Sequence, residues 1–170
     1  KYKKIITIIA PRHIVRVQRI GELCKKYKLD FQILDKGETI FKNKEIIIIN
    51  SFGVLQNYFK FAKSVFIGKS IIKKLENDSG QNPIDAAKMG CKIYHGPYVY
   101  NFKEIYKILE ENNISKEIND YTELSRYLIE DLNIVQKEDK EISYTINNLS
   151  QKILRSTMKN INNILNNEVK

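Results

Sequence analysis

The sequence predicts an α/β protein: a three-layer domain with helices on both faces of a mostly parallel sheet, followed by one long helix. Three observations lead there. Short apolar runs such as "IITIIA" and "EIIIIN" are continuous rather than alternating, as in strands buried on both faces. Between these runs lie segments whose apolar residues recur at helical spacing. The last stretch, from about 138 to 167, carries a single apolar stripe amid Asn and Lys.

In chain order, "IITIIA" (5–10) is the first strand. Residues 14–28 form a helix, with Val17, Ile20, Cys24 and Tyr27 on one stripe and Arg16, Arg19 and Lys26 elsewhere on its surface. "FQILD" (31–35) and "EIIIIN" (45–50) are the second and third strands, "GVLQNYFKFA" (53–62) is helical, and "SVFIG" (64–68) is the fourth strand. "NDSGQNPIDAAKMG" (77–90) supplies a short helix from about 82 to 89. Asn82 suits its N-cap, Pro83 its first position, and Asp85 its third, where a carboxylate can close a capping box. "CKIYHG" (91–96) is the fifth strand, and "NFKEIYKILEENN" (101–113) a helix with Phe102, Ile105 and Leu109 on one side. "ISKEIN" is a short sixth strand, and "TELSRYLIEDL" (122–132) a further helix. In the tail, Ile142, Ile146, Leu149, Ile153, Met158, Ile161 and Leu165 form the stripe, which must pack either on its own domain or on another.

Strands alternating with helices imply βαβ units in a Rossmann-like domain, predicted over residues 1–136, with the amphipathic helix over 137–170. Ligands of such sheets sit beyond the carboxyl ends of the strands. That edge receives "APRH", "NSFG", "GKS" and "HGPY".

A length of 170 residues suits one domain with a proper core, and 42% hydrophobic content excludes a disordered chain. The formal net charge is +9, and residues 1–28 contain nine Lys/Arg against Glu22 alone, so nearly all of the excess sits there. Such a patch suits a phosphorylated ligand, an anionic membrane surface or nucleic acid; as a solvated helix face it needs no partner. The longest apolar runs are far too short to cross a bilayer. The chain opens with Lys1 and runs almost at once into a strand, so it reads as part of a longer protein. Cys24 and Cys91 lack metal-ligand spacing and are expected to be buried thiols.

No G-x-G-x-x-G follows the first strand and no Walker A loop is present, which argues against a dinucleotide dehydrogenase or a P-loop NTPase. No nucleophile set can be assembled. His13 and His95 are lone histidines, read as structural rather than metal-binding, and neither metal nor cofactor is predicted. What remains is a set of loops friendly to phosphate. Arg12, fixed by Pro11, can grip a phosphate bidentately. Gly53 opens a helix, so the N–H groups of Phe52, Gly53 and Val54 can face an oxyanion. Gly68 and Ser70 make a tight strand exit, while Gly80, Asn82 and Asp85 close the set, with Asp85 able to accept ribose hydroxyls.

"APRH..R", "SFGVL", "FIGKS", "SGQNPIDAAKMG" and "HGPYVYNF", in that order over about residues 7–113, resemble the C-terminal half of the 3-deoxy-D-manno-octulosonic acid (Kdo) transferases. The resemblance implies a two-domain GT-B glycosyltransferase. Its N-terminal domain would bind a lipid A precursor (lipid IVA) and hold the catalytic carboxylate. The present domain would bind the donor CMP-Kdo. It further implies that Pro11 and Arg12 hold CMP, that the backbone of Phe52, Gly53 and Val54 borders the nucleotide, and that Asn82, Pro83, Ile84 and Asp85 match an Asn-Pro-Leu-Glu whose acid binds ribose. Ser51, Ser70, Gly80 and Gln81 are additional candidates. The chain departs from the pattern at Gln81 (usually His), Asp85 (Glu), Val54 (Glu) and Tyr98 (His), and "KKLEND" lengthens one loop. The implied enzyme works with inversion and without metal at an anionic membrane surface, on the cytoplasmic face of the bacterial inner membrane, and takes no nucleic acid. This chain, without the acceptor domain, is expected to be inactive alone. A GT-B enzyme using another nucleotide sugar, a non-enzymatic basic module and a domain that has lost its donor are the rival readings.

Overall fold

The computed structural model describes residues 5–78, 81–133 and 138–168. The chain forms two compact units, Lys1–Leu55 and Gln56–Lys170. In the first, β1 (Thr7–Ile9), α1 (Val17–Lys26), β2 (Phe31–Leu34) and β3 (Ile46–Ile49) follow one another. The strands lie in the order β1-β3-β2, both ladders parallel, with Thr7 and Phe31 each opposite Ile46. The all-isoleucine β3 takes the centre, and Ile47, Ile48 and Ile49 are at most 2% exposed, as a strand covered on both faces requires. Val17 and Cys24 of α1 pack on Ile48, with Ile20, Phe31 and Ile33 around them. The helix is shorter than its apolar spacing predicts. Ile14–Arg16 form a 3-10 turn before it, and Lys28 at φ 56 ends it in the left-handed region.

α2 (Leu55–Phe59) spans the junction of the units in the chain. The second unit continues with β4 (Ser64–Ile67), a 3-10 segment Lys73–Asp78, α3 (Ile84–Lys88), β5 (Lys92–His95), α4 (Lys103–Glu111), β6 (Ser115–Glu117), α5 (Tyr121–Asn133) and α6 (Glu138–Glu168). Its sheet runs β4-β5-β6, again wholly parallel. The core gathers Ala86 and Ala87 of α3, Cys91 and Ile93 at β5, Tyr106 and Leu109 of α4, and Ile146 of α6. Parallel pairing is therefore as predicted, but it is divided between two three-stranded sheets, one in each unit. Cys24 and Cys91 are buried free thiols.

The apolar stripe of α6 has two fates. Its first half packs on its own unit through Ile142 and Ile146, and Ser143 donates a hydrogen bond to the Lys88 carbonyl at 3.0 Å. Further along, Leu154, Met158, Ile161 and Leu165 are between 43 and 54% exposed.

At the amino edge of the second sheet, a buried carboxylate ties α5 to two strands. Asp131, 4% exposed, accepts hydrogen bonds from the Tyr94 hydroxyl at 2.8 Å and from the Ser64 hydroxyl, and pairs with Lys92 Nζ at 3.3 Å. Ser64 and Lys92 are register partners at the starts of β4 and β5, so one acid locks both strand ends. Tyr127 stacks on Tyr94 with centroids 5.8 Å apart. Burial first, then the Asp131 hydrogen bond, push the Tyr94 phenol far above its ordinary range. Asp131→Ala is expected to cost about 2–4 kcal/mol in urea unfolding, since it strands three partners. The native state also holds the Tyr94 proton when the unfolded chain releases it, so stability should fall as pH rises above about 10, and Tyr94→Phe should soften that alkaline loss.

Candidate functional site

In the first unit, Pro11 and Arg12 follow β1 after one residue, and Ser51, Phe52, Gly53 and Val54 follow β3. Arg12 is exposed, and among the described residues its guanidinium has no ion pair or hydrogen bond, so it is not the surface salt bridge that an Arg at a strand end usually makes. Gly53 sits at φ +76, where only glycine is comfortable, and a Cβ there would meet nothing within 4 Å. The backbone is therefore open to close approach. Among the described residues, the N–H groups of Phe52, Gly53 and Val54 donate to no protein group. α2 has five residues, so these N–H groups, rather than a macrodipole, are what an anion would meet.

A pair not singled out in the sequence supports this loop. Asn50 Nδ2 donates to Asp35 Oδ1 at 2.7 Å, and the Asn50 N–H to the Leu34 carbonyl at 2.9 Å, tying the exits of β3 and β2. The available signal was an amide and an acid each closing a strand, in "EIIIIN" and "FQILD".

In the second unit, Ser70 has another task than the contact expected of it. It is fully buried; its hydroxyl donates to the Ile67 carbonyl at 2.6 Å and accepts the Gly96 N–H at 2.8 Å. The Ser70 carbonyl in turn accepts the Tyr98 N–H at 2.8 Å. Ser70 thus staples the β4 exit to the β5 exit. The contact is so close that a Cβ on Gly96 would collide with the Ser70 carbonyl oxygen.

Gly80 lies outside the described residues. Gln81 is half-buried, and its carbonyl accepts the Tyr106 hydroxyl at 3.0 Å. Asn82 Oδ1 accepts the Ile84 N–H at 3.0 Å and the Pro83 carbonyl accepts the Ala87 N–H, so the expected cap and first position are in place, one residue ahead of the helix proper. Pro83 is buried and Ile84 half-buried. The capping box is not closed: Asp85 is exposed, and among the described residues its carboxylate has no partner. His95 is 1% exposed and hydrogen-bonded through both ring nitrogens, to the Gly96 carbonyl and to Glu110.

Each unit therefore brings its own set to the exit side of its parallel strands. The first offers a free guanidinium and free N–H groups, suited to a phosphate; the second offers a free carboxylate at a capped helix start, suited to hydroxyl groups. This is a Rossmann-like α/β fold whose open polar groups sit where such folds bind nucleotides.

No protein-family model matches the chain. It is 27% identical over 141 residues to the 3-deoxy-D-manno-octulosonic acid transferase of Haemophilus influenzae, covering 83% of this chain and 32% of the relative. The enzyme of the same name from Rickettsia prowazekii is 28% identical over 126 residues, 74% of this chain and 26% of the relative. A bifunctional glycosyltransferase/methyltransferase of Fusobacterium nucleatum is 28% identical over 160 residues, 82% of this chain and 25% of the relative. Among solved structures, the C-terminal CMP-Kdo binding domain of WaaA from Acinetobacter baumannii superposes with a TM-score of 0.72 at 18% identity, covering 86% of this chain and 74% of that one. The chain spans 25 to 32% of the length of these curated relatives. The resemblance to Kdo transferases read from the motifs is borne out, and the fold is that of the donor-binding domain.

Gly96→Ala tests the loop staple. It should cost about 3 kcal/mol in chemical unfolding, because the added methyl meets backbone that cannot retreat. Gly37→Ala, with nothing within 4 Å but φ +92, should cost only about 1 kcal/mol.

Proposed function

We propose that the chain is the donor-binding domain of a Kdo transferase and holds the CMP portion of CMP-Kdo. The observation that carries the reading is the free state of Arg12 and of the Phe52, Gly53 and Val54 N–H groups, in a fold shared with a CMP-Kdo binding domain. Arg12 takes the phosphate, these N–H groups border the nucleotide, and Asp85, presented by Asn82, Pro83 and Ile84, accepts ribose hydroxyls. Ser51 and Gln81 are additional candidates, one in each unit.

In the whole enzyme, Kdo passes to a lipid A precursor with inversion, through an oxocarbenium-like centre. The departing CMP phosphate is stabilised by Arg12 and backbone N–H groups, so transfer needs no metal there. The deprotonating carboxylate belongs to an acceptor domain, against which the bare half of the α6 stripe packs. The basic residues of α1 (Arg19, Lys25, Lys26) favour an anionic membrane surface as the place of work, on the cytoplasmic side. A second reading, another nucleotide-sugar donor, is favoured by the Fusobacterium relative, named a glycosyltransferase without a stated donor, and by the Gln81, Asp85, Val54 and Tyr98 departures.

Calorimetry with CMP and UDP decides between them. CMP should bind more tightly than UDP, and Arg12→Ala should weaken CMP binding roughly ten- to hundredfold with an unchanged circular dichroism spectrum. Tighter UDP binding would establish the second reading. Turnover of CMP-Kdo and lipid acceptor by these 170 residues alone would overturn the assignment of the base to another domain.

A further inference from the structure

We propose that His95, Glu110 and Glu117 form a binding site for one divalent transition cation of the zinc class. Their ligand atoms all lie within 4.8 Å of one another. The fold builds this cluster from three elements of the second unit. His95 ends β5; Glu117, its register partner, ends β6, so both side chains stand on the same face of the sheet. Glu110 comes from α4, with its carboxylate Oε1 at 2.9 Å from His95 Nε2.

The second ring nitrogen supplies the independent observation. His95 Nδ1 is 2.8 Å from the Gly96 carbonyl oxygen. A carbonyl only accepts, so Nδ1 carries the hydrogen. This is the outer hydrogen bond that fixes tautomer and ring orientation in metal-binding histidines. Nε2 faces the Glu110 carboxylate at 2.9 Å, with a proton or a metal ion able to lie between them. The second carboxylate favours the metal, because Glu117 lies within reach of the same point, and a metal ion takes a third ligand there where a shared proton does not. Among the described residues no Lys or Arg pairs with Glu110 or Glu117.

The geometry is close to a coordination sphere. With bonds of about 2.0–2.2 Å, neighbouring ligand atoms stand roughly 3.0–3.5 Å apart. His95 and Glu110 are already near that spacing, and exposed Glu117 needs only a side-chain rotation. The imidazole is held against Tyr106, with centroids 4.2 Å apart, so it cannot swing away. The Glu110 side chain is 40% exposed and opens the site to solvent. One nitrogen and two carboxylate donors suit zinc or manganese rather than a thiophilic ion, with water completing the sphere. Such an ion would cross-link α4, β5 and β6 beside the Gly96–Tyr98 exit, and no step of sugar transfer runs through it.

The test titrates the 170-residue protein, stripped with a chelator and dialysed, with zinc by calorimetry and with cobalt by visible absorption. One ion per chain should bind, and the Tm should rise by roughly 5–10 °C at a hundredfold excess over Kd. Glu110→Gln and Glu117→Gln should each weaken binding at least about tenfold. Both positions are outside the core, so these variants fold even where His95→Asn does not. No saturable zinc binding by the unaltered protein would overturn the proposal, and so would binding left unchanged in both glutamine variants. A nitrogen NMR signature of doubly protonated His95 that zinc does not alter would identify a simple imidazolium–carboxylate pair and equally overturn it.

Discussion

Every ladder in both sheets is parallel, and parallel neighbours cannot be joined by a tight turn. Each strand must leave its sheet at the same edge as its neighbours and return by a crossover, here α1, α3 and α4 among others. The carboxyl edge of each sheet therefore collects loop after loop, while the amino edge receives only arriving chain. This constraint separates two kinds of polar chemistry. At the arriving edge of the second sheet, Asp131 joins Ser64, Tyr94 and Lys92, and all its capacity serves packing. At the departing edges, some groups are used inside the protein and others are left open.

That difference in availability is what gives the loops their functional meaning. Ser70, His95 and Asn50 look no less reactive in sequence than Arg12 or Asp85. In the fold, Ser70 is sealed under Gly96, His95 sits at the end of β5 between a carbonyl and a carboxylate, and Asn50 braces Asp35. Among the described residues, Arg12, Asp85 and the N–H groups of residues 52–54 have no protein partner. Buried polar groups must find partners within the protein, whereas groups at an open strand exit can keep water until a ligand replaces it.

The last helix follows the same logic on a larger scale. A single stripe, regular in sequence, packs on the core of the second unit through Ile142 and Ile146, and Leu149 is still half-buried. From Leu154 on, the same kind of residue is exposed. Contour and length of the underlying core, not periodicity, decide where burial stops.

Much was legible from the residues alone. Continuous isoleucine runs place β1 and β3, helical spacing places α1, α4 and α5, and Asn-Pro marks the start of α3, because propensity, periodicity and capping act over a few residues. The ordered motifs carried the resemblance to Kdo transferases for the same reason, each being a short string. Tertiary structure alone decided the rest. It divided the strands into two three-stranded sheets, buried Ser70, left the capping box of Asp85 open, and brought Glu110 and Glu117 to a histidine that looked solitary. These outcomes depend on strand register and helix placement, which set side chains far apart in the chain against one another, and no local pattern encodes such a meeting.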